Sequence, residues 1–230
     1  MSPRTTLSED ASLQVIDLGH VNYRKTLKFQ YSLQNERRQG KVKDTVLLVE
    51  HPPTITLGRR EEINTLAVDR EALGRMGIEL VTTNRGGGAT AHNPGQIVIY
   101  PILDLNKRSM HVDEYIHLLE EIGICLLERL GVQAERREGF PGLWVRDGDG
   151  GTGPIKKIAA IGIHLAGMVT SHGMAINIAN DLSIFSHIVP CGLEGVTLAS
   201  VKEVTGTNHD MAEVKRLLVG CVKNNLAPGG

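Results

Sequence analysis

The chain has 230 residues, of which 41% are hydrophobic and 22% charged, enough for one sizeable core or at most two small ones, so disorder and short peptide scaffolds are excluded. Twenty-five basic against twenty-six acidic side chains supply no overall field for a polyphosphate backbone, and one Trp, four Tyr and three Phe supply few base-stacking platforms, so no nucleic-acid partner is expected. Charges break every apolar stretch before the roughly 18 residues of a membrane span, Met1 to Gln14 shows no targeting pattern, and Cys125, Cys191 and Cys221 lie far apart. These features predict a soluble protein in a reducing, cytoplasmic setting, with no membrane partner and no disulfide framework.

In chain order, Tyr23, Leu27 and Tyr31 sit four apart among charged residues and end at Gly40, predicting an amphipathic helix over residues 22 to 40 with a basic face of Arg24, Lys25, Lys28, Arg37 and Arg38. Thr45 to Glu50 and Thr54 to Leu57 read as strands around His51-Pro52-Pro53. A short helix over Asp69 to Met76 is stopped by Gly77, and strands follow at Ile78 to Thr83 and Ile97 to Leu103, separated by a glycine-laden loop from Arg85 to Gln96. Val112 to Leu130 carries apolar residues at three- and four-residue spacings and is the clearest helix. Strands are expected at Leu143 to Val145, Ile158 to Leu165, Met168 to Thr170 and Met174 to Ile178, and a last helix at Met211 to Asn224. The pattern predicts an α+β fold, a single domain over 1–230 with a curved mixed or antiparallel sheet flanked by helices, a core from about 13 to 226 and a flexible stretch over 1–12.

Asp147 to Pro154 reads as an exposed loop. Its Gly148, Gly150 and Gly153 mimic a dinucleotide fingerprint, but two Asp and Pro154 oppose a pyrophosphate, and no calcium-loop Glu follows. No P-loop, zinc-protease or serine-elbow signature is present, and no histidine interval suggests a metal triad, so no metal is expected. Three segments set small residues beside reactive ones: Arg85 to Gln96, Lys156 to Gly162, and Ser171-His172-Gly173 leading on to Val189-Pro190-Cys191-Gly192. Successive glycines let a ligand touch the backbone, with Arg85, Thr90 and His92 as donors, although a glycine-rich hairpin around a paired Arg explains the same residues. Cys191, between Pro and Gly, suits a reactive thiol on a turn better than Cys125 and Cys221, which read as ordinary semi-buried residues on helix faces. Lys157 opens an uncharged run and can lower a thiol's pKa, though spacing alone does not choose between it and Lys156. His92, His164 and His172 are weaker candidates.

Taken in this order, Glu50-His-Pro-Pro53 with Thr56-Leu-Gly58, the Arg85 to Gln96 loop, Lys157-Ile-Ala-Ala-Ile-Gly162, Ser171-His-Gly173 with Asn177, and Val189-Pro-Cys191-Gly192 resemble the octanoyltransferases of lipoate biosynthesis, in the biotin/lipoate protein ligase superfamily. The resemblance covers most of the chain. It implies a cofactor-free transfer of an octanoyl group from octanoyl-acyl carrier protein to the lysine of a lipoyl domain, in 2-oxoacid dehydrogenase complexes or the glycine cleavage H protein. It further implies that Cys191 forms a thioester and Lys157 lowers its pKa. The acyl contacts would be Arg85, Gly86, Gly87, Gly88, Ala89, Thr90, Ala91 and His92, with Ala160, Ile161, Gly162, Gly173, Met174 and Ala175. Ala91, Asn93, His164 and Ala199-Ser200 depart from the usual family pattern. The competing readings are an ATP-dependent lipoate- or biotin-protein ligase, which would not need Cys191, and a non-catalytic module that docks acidic carrier proteins.

Overall fold

Two strands of the centre, β3 (Asp44–Glu50) and β7 (Gln96–Ile102), are buried along nearly their whole length, so they read as continuous apolar runs and must be covered on both faces. The computed structural model describes residues 5–9, 12–146, 153–189 and 196–226 and shows both covers. Because side chains alternate along a strand, Val46, Leu48, Ile97 and Ile99 enter one core and Leu47, Val49, Val98 and Tyr100 another. Helices α3 (Val112–Arg129) and α5 (Met211–Leu226) lie over the first core, with Tyr115, Leu119, Ile122 and Leu126 buried in the stripe the sequence predicts. Helix α1 (Tyr23–Arg38) covers the second through Tyr23 and Leu33.

The large sheet also contains β1 (Thr5–Glu9), β2 (Leu13–His20), β8 (Gly142–Arg146), β9 (Ile155–Ala166), β10 (Val169–Asn177) and β11 (Thr197–Leu198). Its order is β1-β2-β3-β7-β10-β9-β11, with β8 paired to β9 and with parallel pairs at β2–β3 and β9–β11. A second sheet, β5-β4-β6, is built from β4 (Thr54–Leu57), β5 (Glu79–Thr82) and β6 (Thr90–His92). It packs with α2 (Arg70–Arg75) in a third core around Ile55, Leu73, Ala89 and Phe185. A five-residue helix, α4 (Val201–Thr205), precedes α5. The α+β class with a mixed sheet is as the sequence indicates.

Several expectations change. The strands predicted at Met168 to Thr170 and Met174 to Ile178 are one strand, β10, crossing Gly173 without a break. The loop over Arg85 to Gln96 contains β6, whose Thr90 to His92 pairs with Thr54 to Thr56. Thr5–Glu9, in the stretch expected to be flexible, pairs antiparallel with β2. The basic face of α1 is smaller than the sequence suggests: Arg37 is buried in ion pairs with Asp44 at 2.6 Å and Asp104 at 3.6 Å, and Arg24 pairs with Glu79. Lys25, Lys28 and Arg38 are left exposed. Cys125 and Cys221 are not independent residues either; α3 packs on α5, their Cα atoms come within 5.9 Å and the sulfurs form a disulfide. No helix among the described residues is long and apolar enough to cross a membrane.

Candidate active site

The antiparallel pair β9–β10 sets Gly162 opposite Gly173 and Ala160 opposite Ala175. Residues two apart share a face, so these four small residues form one floor, while Ile161 and Met174 between them join the core beneath α3. The second sheet approaches that floor closely: a side chain at Gly162 would come 3.0 Å from the Gly86 carbonyl oxygen and 3.1 Å from Arg85 Cδ. The space left spans about 440 Å³, part of it open to solvent, and is bordered by Tyr23, Arg85, Gly87, Thr90, His92, Val98, Tyr100, His172 and the β9–β10 floor. From Ala160 to Gly162, which pairs with Gly173, the floor runs about 7 Å at the usual strand rise.

One end of this cavity is aromatic and imidazole-rich. Tyr23 stacks on His92 at 5.3 Å between ring centroids, and His51 donates Nδ1–H to the Val21 carbonyl at 2.6 Å while its Nε2 accepts the Tyr100 hydroxyl at 2.9 Å. His92 Nδ1 meets Gln96 Oε1 at 2.8 Å. Burial pulls all three imidazoles down, His51 to about 4 and both His92 and His172 to about 3, with the Arg85 charge assisting at His92 and His172. Burial also raises Tyr23 to about 12. These rings are therefore neutral near pH 7 and form a wall compatible with an apolar chain. His172 reaches it with a left-handed φ of 59°, held by its N–H bond to Gln30 Oε1 at 2.8 Å.

The other end is polar. Lys157, only 5% exposed, borders an adjoining space of about 310 Å³ with Gln96, Ala159, Asn177, Phe185 and Leu198, and the two spaces share Thr90, Ala160 and Ala175. Asn177 Oδ1 accepts from Gln96 Nε2 at 2.9 Å, and Asn177 Nδ2 donates to the Ala199 carbonyl at 3.1 Å, tying β10, β7 and the chain after β11 together. Of the two lysines that spacing leaves open, Lys157 is the one at the cavity. Cys191 lies outside the described residues. Of the described chain before and after it, the Val189 N–H meets the Thr65 carbonyl at 3.1 Å and Leu198 pairs with Lys157.

A family model described as the lipoyl protein ligase A/B catalytic domain matches residues 22–223. An octanoyltransferase of Desulfotalea psychrophila is 43% identical over 209 residues, 90% of this chain and 91% of its own length. Another, from Koribacter versatilis, is 40% identical over 204 residues, covering 88% of this chain and 79% of that one. The chain belongs to the octanoyltransferase family. Among solved structures, a bi-partite lipoate protein ligase from Thermoplasma acidophilum is similar in fold, with a TM-score of 0.68 at 19% identity over 95% of this chain and 84% of its own.

This octanoyltransferase is an acyltransferase, and its sequence-predicted residues do not all lie alike. Arg85, expected to donate to substrate, borders the cavity but sends Nη2 to the Thr56 carbonyl and hydroxyl at 2.8 Å, Nε to the same hydroxyl at 3.3 Å and Nη1 to the Gly86 carbonyl at 3.0 Å. It pins the glycine loop to β4. Gly86 gives its N–H to the Ile163 carbonyl at 2.8 Å, locking the loop to β9, and Ala89 and Ala91 are buried in the core of the second sheet. Sequence reasoning missed Tyr23 and Tyr100 as site walls, and His51 as the ring that bonds Tyr100 from behind; only the alternation of Val98 and Tyr100 within an apolar run could have pointed to a face shared with Ala175.

Proposed function

We propose that the protein moves an octanoyl group from octanoyl-acyl carrier protein to the lysine of a lipoyl domain through a thioester on Cys191. The observation that carries this reading is a buried ammonium, Lys157, at the polar end of a narrow space floored by Ala160, Gly162, Gly173 and Ala175. Each methylene placed on that floor contributes about 0.8 kcal/mol by leaving water. The neutral wall of Tyr23, Tyr100 and His172 stops the chain.

A free thiol has a pKa of about 8.5, so a nearby ammonium that favours the anion raises the nucleophilic fraction at neutral pH. The Cys191 thiolate attacks the donor's thioester carbonyl, the carbon–sulfur bond to the carrier breaks, and the carrier's thiolate leaves and takes up a proton. The neutral ε-amine of the acceptor lysine then attacks the enzyme thioester, an amide bond forms, Cys191 departs as thiolate and the amine's surplus proton is released. The first exchange is nearly isoenergetic and the second is downhill, so the reaction as written consumes no ATP. Acceptors are lipoyl domains of 2-oxoacid dehydrogenase complexes and the glycine cleavage H protein, in the cytoplasm, and exposed Lys25, Lys28 and Arg38 on α1 offer acidic partners a complementary surface.

Intact-protein mass spectrometry after mixing with octanoyl-acyl carrier protein, without ATP, tests this. A single octanoyl adduct is expected on wild type, absent from Cys191→Ser and removed by apo lipoyl domain. Transfer seen only when octanoate and ATP are supplied would overturn the reading in favour of a ligase.

A further inference from the structure

Lys157 does not reach its place by regular strand geometry. The β8–β9 ladder pairs Leu143 with Ala159 and then Trp144 with Lys157, skipping Ile158, so β9 carries a bulge. Without it Trp144 would face Ile158 and Lys157 would face Val145. Bulges of this kind re-aim side chains, and here the result is that the Lys157 Nζ lies 5.0 Å from the centroid of the Trp144 ring. Gly142 makes room for the stem: with a φ of 123°, it is a position where an added Cβ would lie 2.8 Å from Lys157 Cε and overlap the Ala159 carbonyl. The indole is itself held fast, its Nε1–H donating to the Phe140 carbonyl at 3.1 Å, its edge against Phe140, and its backbone bridged to Glu135.

We propose that Trp144 is a positioning residue for Lys157, its ring face holding the ammonium at the polar end of the acyl cavity. The proposal rests on the reading of Lys157 as the charge that activates Cys191. The quadrupole of an indole attracts a cation most strongly where water is excluded, and Trp144 is 1% exposed. Among the described residues, charges near the pair include the Arg137 guanidinium, 5.4 Å from the same ring centroid, and Glu120, which accepts the Gly142 N–H at 3.2 Å and pairs with Arg136 and His117. Lys156 precedes on β9, Glu135 pairs with Arg146 across β8, and the facing Leu198 and Asn177 are uncharged.

Single-turnover acylation by octanoyl-acyl carrier protein is measured from pH 6 to 9 for wild type, Trp144→Leu, Trp144→Phe and Lys157→Met. Trp144→Leu is expected to acylate about 10-fold more slowly at pH 7, the scale of one desolvated cation–ring contact. The donor's KM should be unchanged and the rate should recover partly at pH 9, while Trp144→Phe, which keeps a ring face, retains most of the rate. Trp144→Leu at the wild-type rate, with Lys157→Met slow, would overturn the positioning role and leave the lysine's role standing. A wild-type rate in Lys157→Met would instead remove the lysine's role. Should Trp144→Leu not fold, carbon-13 lysine NMR of the wild type decides: an ε-methylene shifted upfield by the indole ring, and lost in Lys157→Arg, supports the contact, and its absence overturns it.

Discussion

Arg85 shows how a buried side chain can serve a site by shaping it. Its fork meets the carbonyl and hydroxyl of Thr56 and the carbonyl of Gly86, geometry a lysine cannot reproduce. Arg85→Lys should therefore lose about 1–3 kcal/mol of stability, the range for buried hydrogen bonds to a charged group. It should also raise the KM for octanoyl donor more than it lowers kcat; urea denaturation and steady-state kinetics check both, and unchanged stability would refute the pinning role. The sequence shows Arg85, Thr90 and His92 as polar groups beside glycines, which marks the segment, but which donors meet backbone and which face the cavity depends on the distant Thr56. Trp144 carries no local mark at all. Its relation to Lys157 arises from a one-residue bulge, and periodicity is blind to that.

Between elements, the tie that matters most is electrostatic. Asp44 at the start of β3 accepts from Arg37 of α1 and Arg108, both at 2.6 Å, and from the Asp104 N–H at 3.1 Å, so one carboxylate joins a helix, a strand and the turn before α3. Removing one partner strands buried charge, and Asp44→Ala should cost about 3–5 kcal/mol in a urea melt; a loss under about 1 kcal/mol would mean the cluster is solvated. The sequence shows Arg37 only as part of a basic face, because helical spacing cannot reveal that a strand end brings Asp44 against it. The long stripe of α3 was legible because seven apolar residues repeat at helical spacing. Strand β6 is three residues long and pairs with β4, too short to show a period, and the five-residue α4 went unpredicted although its Ser200 and Glu203 capping box is a helix-start signal. The separation of 96 positions between Cys125 and Cys221 hid their pairing, since only the α3–α5 contact makes them neighbours.

For the whole molecule, His51, His92 and His172 make folding acid-sensitive. Their folded pKa values, about 4, 3 and 3, lie below the unfolded value of 6.5, so an unfolded chain binds more protons as pH falls. The stability they favour is present above pH 6.5 and drains away between there and about pH 3 to 4. Tm should fall steadily from pH 7 to 4.5, and a level Tm over that interval would contradict their burial as neutral rings. The fold class was visible in the sequence, but four of the eleven strands, β1, β2, β6 and β11, were not, nor was sheet order: β7 lies between β3 and β10, a neighbour relation set by three-dimensional packing rather than chain order.

The space over Ala160, Gly162, Gly173 and Ala175 is also a gap between the second and third cores, walled by side chains from both sheets. The cores on either side are filled by leucines, valines and isoleucines of the chain itself, while this floor of small residues leaves room above it. On the proposed reading, an octanoyl chain bound there would act as a removable core side chain, supplied in trans and replaced at each turnover, and packing would be most complete in the middle of the catalytic cycle.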